Sequence, residues 1–459
     1  MGRGRQAVQG RRRRQDRRGV RQGVRGRPVG RLDWAAPDHR RRPSREENRM
    51  RPTPQQLAWQ EAGFGLFFHF GINTFHGVEW GDGTADPATF APDGLDAGQW
   101  VETAKQAGAR YVVLTAKHHD GFCLWPTATT AYSVKSATWR DGQGDVVAEL
   151  AQACRAAGLG LGLYLSPWDR NAACYDDPRA YDDFYLAQLT ELCTGYGPLF
   201  EIWFDGAGSE GRSYDWARIM AVVGEHQPDA MVFNLGEPTI RWIGNEDGLA
   251  TDPVRYTVSA TDVSMFTTAV SQLDGPRYLP PECDVPIRAD WFWQPSSVLK
   301  TREQLLEIFY RSMGLGAGLL LNLAPMPSGR LDPADVDRLL EVTGELRRRF
   351  ARPVPATLSA IPGGVRAIFP TPVRFDHLEL REDLQAGQQI DGYAVVADGK
   401  RIAVGSTVGI RRWHAVPPVT ASSLDIFVPA GSLSAVTAFS PALDQGSRSN
   451  PASRFDREP

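Results

Sequence analysis

The stretch LFEIWFDGAG, residues 199–208, runs large apolar side chains into a carboxylate and follows it at once with glycine. An apolar run of this length bounded by Gly reads as a buried strand, with Asp205 at its tip. The neighbouring chain repeats the pattern. GLFFHFGI (65–72), YVVLTAKH (111–118), GLGLYLS (160–166) and MVFNL (231–235) also read as strands. Between them AGQWVETAKQAG (97–108) and DVVAELAQACRAAG (145–158) read as amphipathic helices closed by Gly. Residues 301–323 read as a helix and a further strand, and 332–350 as a helix with an Asp start. Strands that are apolar throughout and alternate with helices predict a parallel sheet covered on both faces. The expected class is α/β, a (β/α)8-type TIM barrel over residues 50–351. After Arg352 short segments such as VRAIF, HLELRE, GYAVVADG and AVTAFSP alternate with turn residues. That rhythm predicts a C-terminal antiparallel β-sandwich over 352–445. No long-period repeat is present.

Charge is unevenly distributed along the 459 residues. Residues 1–49 hold 17 Arg, no Lys and 5 acidic residues, a net +12, and the rest of the chain is −15. An acidic body argues against nucleic acid as its partner. Residues 1–49 lack the apolar content to order themselves and are expected to be disordered, as is the tail 446–459. Met50, which opens MRPTPQQLAWQ, is a candidate alternative start; a basic arm for nucleic acid is the other reading of 1–49. The five cysteines are scattered without CxxC spacing, so neither a zinc site nor a disulfide framework is expected. No apolar run is long enough to span a bilayer, and the N-terminus lacks a signal-peptide core. A cytoplasmic location without a membrane partner is the expectation; nothing in the sequence speaks to oligomeric state.

In a barrel of this kind the chemistry sits where the strands end, on one face. His69, His118, His119, Tyr164 and Asp205 each stand at the end of an apolar run. Adjacent residues on a strand face opposite ways, so His118 and His119 can share a ligand only at an irregular strand end. A metal site is the rival use of that pair, but no HxH or HExxH spacing supports it. No metal and no cofactor are expected.

Taken in order, FFHFG, GVEWGDG, AKHHDGF, LYLSPWD, EIWFDG, RWIGNEDG and PPECDVPIRADWFW resemble the retaining α-L-fucosidases of glycoside hydrolase family 29. The likeness runs from about residue 58 to 440. EIWFDG, PPECDVPIRADWFW and the C-terminal FDHLELREDLQAGQQIDGYAVVADGKRIAVG resemble the subgroup that prefers α-1,3/1,4-linked fucose on branched oligosaccharides. The resemblance implies a barrel followed by a β-sandwich. It also implies hydrolysis by double displacement, which needs a carboxylate nucleophile and a second carboxyl as acid and then base. Asp205 matches the nucleophile. RWIGNEDG places Glu246 as acid/base, and Glu282 in PPECDVPIR is the alternative; either could instead pair with an Arg such as Arg241 or Arg288. His69, His118, His119 and Tyr164 would bond fucose hydroxyls, with Glu79 and Trp80 near the sugar. Trp203 and Trp291 would pack on its methyl-bearing edge or else fill the core. Asp290 and Gln294 stand where related sequences more often show Gly and His, a change expected to touch the leaving-group side or local stability. The expected partner is a fucosylated oligosaccharide. A catalytically silent sugar-binding barrel and a glycosidase for a related sugar such as a galactoside are the other readings.

Overall fold

The computed structural model describes residues 48–209, 211–262 and 270–441; the expectations for 1–47 and 446–459 lie outside them. Helix α1 (Pro54–Ala62) leads into β1 (Phe64–Phe68), α2 (Ile72–His76), α3 (Ala97–Ala107) and β2 (Tyr111–Lys117). Then follow α4 (Val146–Ala157), β3 (Gly160–Leu165), α5 (Pro178–Gly195), β4 (Glu201–Trp203), α6 (Trp216–His226), β5 (Met231–Phe233) and β6 (Arg241–Trp242). A hairpin, β7 (Thr257–Asp262) with β8 (Val270–Tyr278), precedes β9 (Pro281–Pro286), α7 (Arg302–Arg311), β10 (Gly318–Asn322) and α8 (Pro333–Arg349). Every helix of this part except the five-residue α2 begins at an Asp or Thr whose side chain accepts a first-turn N–H: Thr53, Asp96, Asp145, Asp177, Asp215, Thr301 and Asp332. Such a cap is worth about 1 kcal/mol, so the sequence marks these starts locally.

Eight strands pair in the order β5-β4-β3-β2-β1-β10-β9-β6. All neighbours are parallel, and a parallel bridge between Phe233 and Ile240 links the two ends into a barrel. The alternation is incomplete. Among the described residues no helix lies between β5 and β6, and the β7–β8 hairpin stands where a helix between β6 and β9 would be. The seven residues between β5 and β6 leave no room for a helix with its turns.

Alternation along the strands decides which side chains enter the barrel. In EIWFD, Ile202 and Phe204 pack in the helix-side core, whereas Trp203 belongs to the interior cluster with Phe67, Tyr111, Tyr164 and Leu320. Glu201, Trp203 and Asp205 therefore share the inward face. Large and small residues complement each other inside: a Cβ at Gly65 would lie 2.5 Å from the Tyr111 ring. Gly at that position is what lets Tyr111 fill the barrel floor.

The C-terminal sheet comprises β11 (Pro353–Pro355), β12 (Thr357–Ile361), β13 (Gly364–Glu382), β14 (Tyr393–Ala397), β15 (Lys400–Gly405), β16 (Arg412–Phe427) and β17 (Leu433–Phe439). Its pairings are antiparallel. The long strands β13 and β16 break register between Ile368 and Val373 and again between Phe375 and His377. The early part of β13 pairs with β12, the late part with β17. One bent sheet thus supplies two layers around the core of Phe375, Leu378, Leu380, Val395, Leu424 and Ile426. It docks on the barrel through Tyr256, whose hydroxyl donates to Gly316 O (2.7 Å) and accepts from Ile410 N (3.0 Å). Arg412 also pairs with Asp252 at 2.7 Å. Among the described residues no helix is long and apolar enough to cross a membrane.

Candidate active site

The strand ends of the barrel open into a pocket walled by Phe67, His69, Glu79, Trp80, His118, His119, Trp203, Asp205, Phe233, Asn234, Trp242, Glu246, Asp284 and Trp291. Nine of the candidates from sequence meet here: His69, Glu79, Trp80, His118, His119, Trp203, Asp205, Glu246 and Trp291. Two do not. Tyr164 is buried behind Asp205, and its hydroxyl donates to Asp205 Oδ2 at 3.0 Å. Its place is therefore against that carboxylate and not on the pocket wall expected for a hydroxyl-binding group. Glu282 is fully buried below the pocket. It accepts from Tyr111 OH (2.6 Å) and Trp203 Nε1 (3.1 Å). An acid/base must reach the leaving group, and Glu282 lies outside the pocket wall, a position that favours Glu246 over it for that role.

Asp205 lies two residues beyond β4. Its Oδ1 accepts from Ala207 N at 2.8 Å, and His119 Nε2 stands 3.6 Å from Oδ2. The turn beyond depends on Gly208, at φ +73°, where a Cβ would fall 1.8 Å from the Trp168 ring. The chain can double back beside the pocket only because that side chain is missing.

Both histidines after β2 face the pocket because β2 breaks register with β3 between Thr115 and Lys117. The bulge swings the strand end, as the face rule requires. Beneath them Lys117 is fully buried and donates to Asp169 (2.9 Å) and Gln188 (3.0 Å). His69 and His119 are both driven down to about 3, first of all by burial, so each ring is neutral at neutral pH. Their tautomers follow from their partners. Asn322 gives its amide N–H to Trp291 O, so its Oδ1 must accept from His69 Nδ1 (3.0 Å). Ser166 gives its one proton to Trp168 O, so it must accept from His119 Nδ1 (2.7 Å). In each ring Nε2 is left with a lone pair. His118 is also neutral through burial. Its ring neighbours are His69, His119, Phe292 and Tyr164, the last stacked at 12°. Among the described residues no cluster of three metal-ligating side chains exists.

Glu246 comes from the loop after β6. Burial lifts its carboxyl above the usual range, and the charge of Asp205 lifts it further against the Trp291 hydrogen bond. Glu79 is raised too, by burial and then by Glu246, Asp290 and Asp205. The departure at Asp290 therefore adds negative field on the Glu79 side. Arg288 pairs with Asp332 and Asp335, and Arg241 bonds backbone carbonyls, so neither neutralises Glu246 or Glu282.

One device recurs. An indole N–H donates to a carboxyl at Trp59–Glu201 (3.1 Å), Trp203–Glu282 (3.1 Å), Trp242–Asp284 (2.7 Å) and Trp291–Glu246 (3.1 Å). Three of these indoles wall the pocket. The inward carboxyls hold rigid aromatic faces in fixed orientation, which is what an apolar sugar edge stacks on. Trp203 is fixed further by Phe233, stacked at 3.7 Å between centroids. Asn322, Asn234, Trp242 and Asp284 were not among the candidates. The strand-end rule itself points to both asparagines, in GLLLN and MVFNL. Asp284 shows only as the residue two beyond Glu282, on the same face of β9.

A parallel barrel with an aromatic pocket and facing carboxyls at its strand ends has the build of a glycoside hydrolase. The α-L-fucosidase family model matches residues 35–348. Alpha-L-fucosidase 1 of Arabidopsis thaliana is 40% identical over 79% of this chain and 81% of its own. A glycoside hydrolase 29 family member from a rumen bacterium superposes with TM-score 0.76 at 32% identity, over 86% of this chain and 78% of that one. A Ruminococcus gnavus family 29 fucosidase in complex with fucose gives TM-score 0.74 at 28% identity, over 86% and 95%. The chain belongs to the α-L-fucosidases of glycoside hydrolase family 29. Its reaction is the hydrolytic release of fucose from a fucose-containing substrate.

Proposed function

We propose that this fucosidase is an exo-acting, retaining enzyme in which Asp205 attacks the anomeric carbon and Glu246 serves as acid and then base. The carrying observation is that both carboxyls wall one pocket, where burial and then the charge of Asp205 raise Glu246. In the first step Glu246 delivers its proton to the leaving oxygen while Asp205 forms the glycosyl ester. Ester formation removes the Asp205 charge, so the support for a protonated Glu246 weakens. Glu246 is then suited to take a proton from water, which attacks and releases Asp205. Tyr164 and the Ala207 N–H keep the Asp205 oxygens aimed. The Nε2 atoms of His69 and His119 accept from sugar hydroxyls. The substrate is taken to be α-1,3/1,4-linked fucose on a branched oligosaccharide, on the likeness of the loop motifs to that subgroup.

The test uses a 2-deoxy-2-fluorofucosyl fluoride, which forms the ester but hydrolyses it slowly. Mass spectrometry should find the fluorosugar on the peptide containing Asp205 and nothing on the Asp205→Ala protein. Label on another residue would overturn the nucleophile. Fucose release from a Lewis-type trisaccharide tests the linkage; release from an aryl fucoside alone would remove the subgroup and keep the mechanism.

A further inference from the structure

Beyond the single N–H of neutral His118, the pocket wall offers more hydrogen-bond acceptors than donors. His69 and His119 present lone pairs, Asp205 presents carboxylate oxygens, and the proton of Glu246 is committed to the leaving oxygen. Tyr164 and Trp291 have already given their protons to Asp205 and Glu246. A sugar hydroxyl both donates and accepts, so its oxygen also needs a donor once water is excluded.

Asp284 meets that need. It lies mid-strand on β9, inward like Glu282 and opposite Leu320 of β10. It is only 3% exposed, and it forms part of the pocket wall. One oxygen accepts from Trp242 Nε1 at 2.7 Å. Burial first, and then the neighbouring carboxyls of Glu246 and Glu282, drive its own carboxyl well above the usual range. A buried carboxyl beside other carboxyls holds its proton at neutral pH and becomes a donor.

We propose that the Asp284 carboxyl, held by Trp242 at the pocket floor, stays protonated and donates its hydrogen bond to a hydroxyl oxygen of the bound sugar. This rests on the fucosidase reading of the same pocket and adds a specificity-determining group to it. Trp242 fixes one oxygen, so the O–H on the other has one direction to point. An ionised Asp284 would instead be a buried charge without a cation and would offer the sugar only acceptors.

The experiment is difference infrared spectroscopy of the full chain with and without L-fucose, beside Asp284→Asn and Asp284→Leu. The wild type should show the C=O stretch of a protonated carboxylic acid that moves when fucose binds, and Asp284→Asn should lack that band. Calorimetry should find fucose bound about tenfold more weakly by Asp284→Leu, with a smaller loss in Asp284→Asn, which keeps an N–H donor. A missing band, a band unmoved by fucose, or wild-type affinity in Asp284→Leu would overturn the proposal. If the Leu protein does not fold, the band comparison between wild type and Asn decides alone. Turnover of an aryl fucoside by the wild type, measured separately, reports on the fucosidase mechanism and not on Asp284, so the two can fail independently.

Discussion

Replacing Glu246 by Ala separates the two carboxyls that the pocket leaves as candidates for the acid/base. Glu246 and Glu79 both wall the pocket and are both raised by burial. General acid catalysis contributes about 10²–10⁴ in rate, which is about 3–5 kcal/mol of barrier. A trisaccharide has a poor leaving group and should lose that whole factor in Glu246→Ala. A dinitrophenyl fucoside leaves without a proton, so its first step should be nearly spared and the ester should accumulate. Azide needs no base, fits the space left by the missing carboxyl, and should restore turnover as the α-fucosyl azide. The pH profile carries the same assignment. Glu246 acts first as an acid with a raised pKa, so kcat/KM of the wild type falls as pH rises through that value. The basic limb should vanish in Glu246→Ala. Rate measurements on both substrates, with azide product identified by NMR, check all of this. Fucosyl azide from Glu79→Ala, and none from Glu246→Ala, would refute the reasoning.

Other outcomes follow from particular contacts. Tyr164→Phe removes a hydrogen bond to a charged oxygen of Asp205 and should cost about ten- to a hundredfold in kcat/KM, read by steady-state kinetics. Glu282→Leu strands the Tyr111 hydroxyl and the Trp203 indole N–H, each at about 1–3 kcal/mol, and should lower the urea midpoint without any azide rescue. Lys117→Met leaves Asp169 buried without its cation and should destabilise by about 3–5 kcal/mol, an effect partly reversed by adding Asp169→Asn. Dialysis against a chelator should leave activity unchanged; a loss would revive the metal reading of His118 and His119.

Much of the barrel was legible because its signals are local. Continuous apolar runs mark β1 to β5, and Asp or Thr caps mark the helix starts. The β6 strand was not legible, since two residues carry no periodicity, and β9 was hidden because carboxyls occupy its inward positions. The helix missing between β5 and β6 could not be foreseen from a repeating pattern. Asp205 was visible as a charge at the end of a buried run, and the same rule would have reached Asn322. Glu282 and Glu246 are both acidic residues near aromatic motifs, and apart from the family resemblance of RWIGNEDG nothing in their local sequence separates them.

By itself, then, the sequence determined the element types, the strand ends where chemistry gathers, and the family resemblance, because each depends on residues near one another in the chain. Only the tertiary structure decided which carboxyl lines the pocket and which is sealed below it. It placed Tyr164 behind Asp205 and assigned the lone pairs of His69 and His119 through Asn322 and Ser166, partners 253 and 47 residues away. It also showed four indoles each held by a carboxyl at least 42 residues away in the chain. Burial and hydrogen-bond partnership are properties of the closed barrel, and they set protonation; a linear order of residues carries neither.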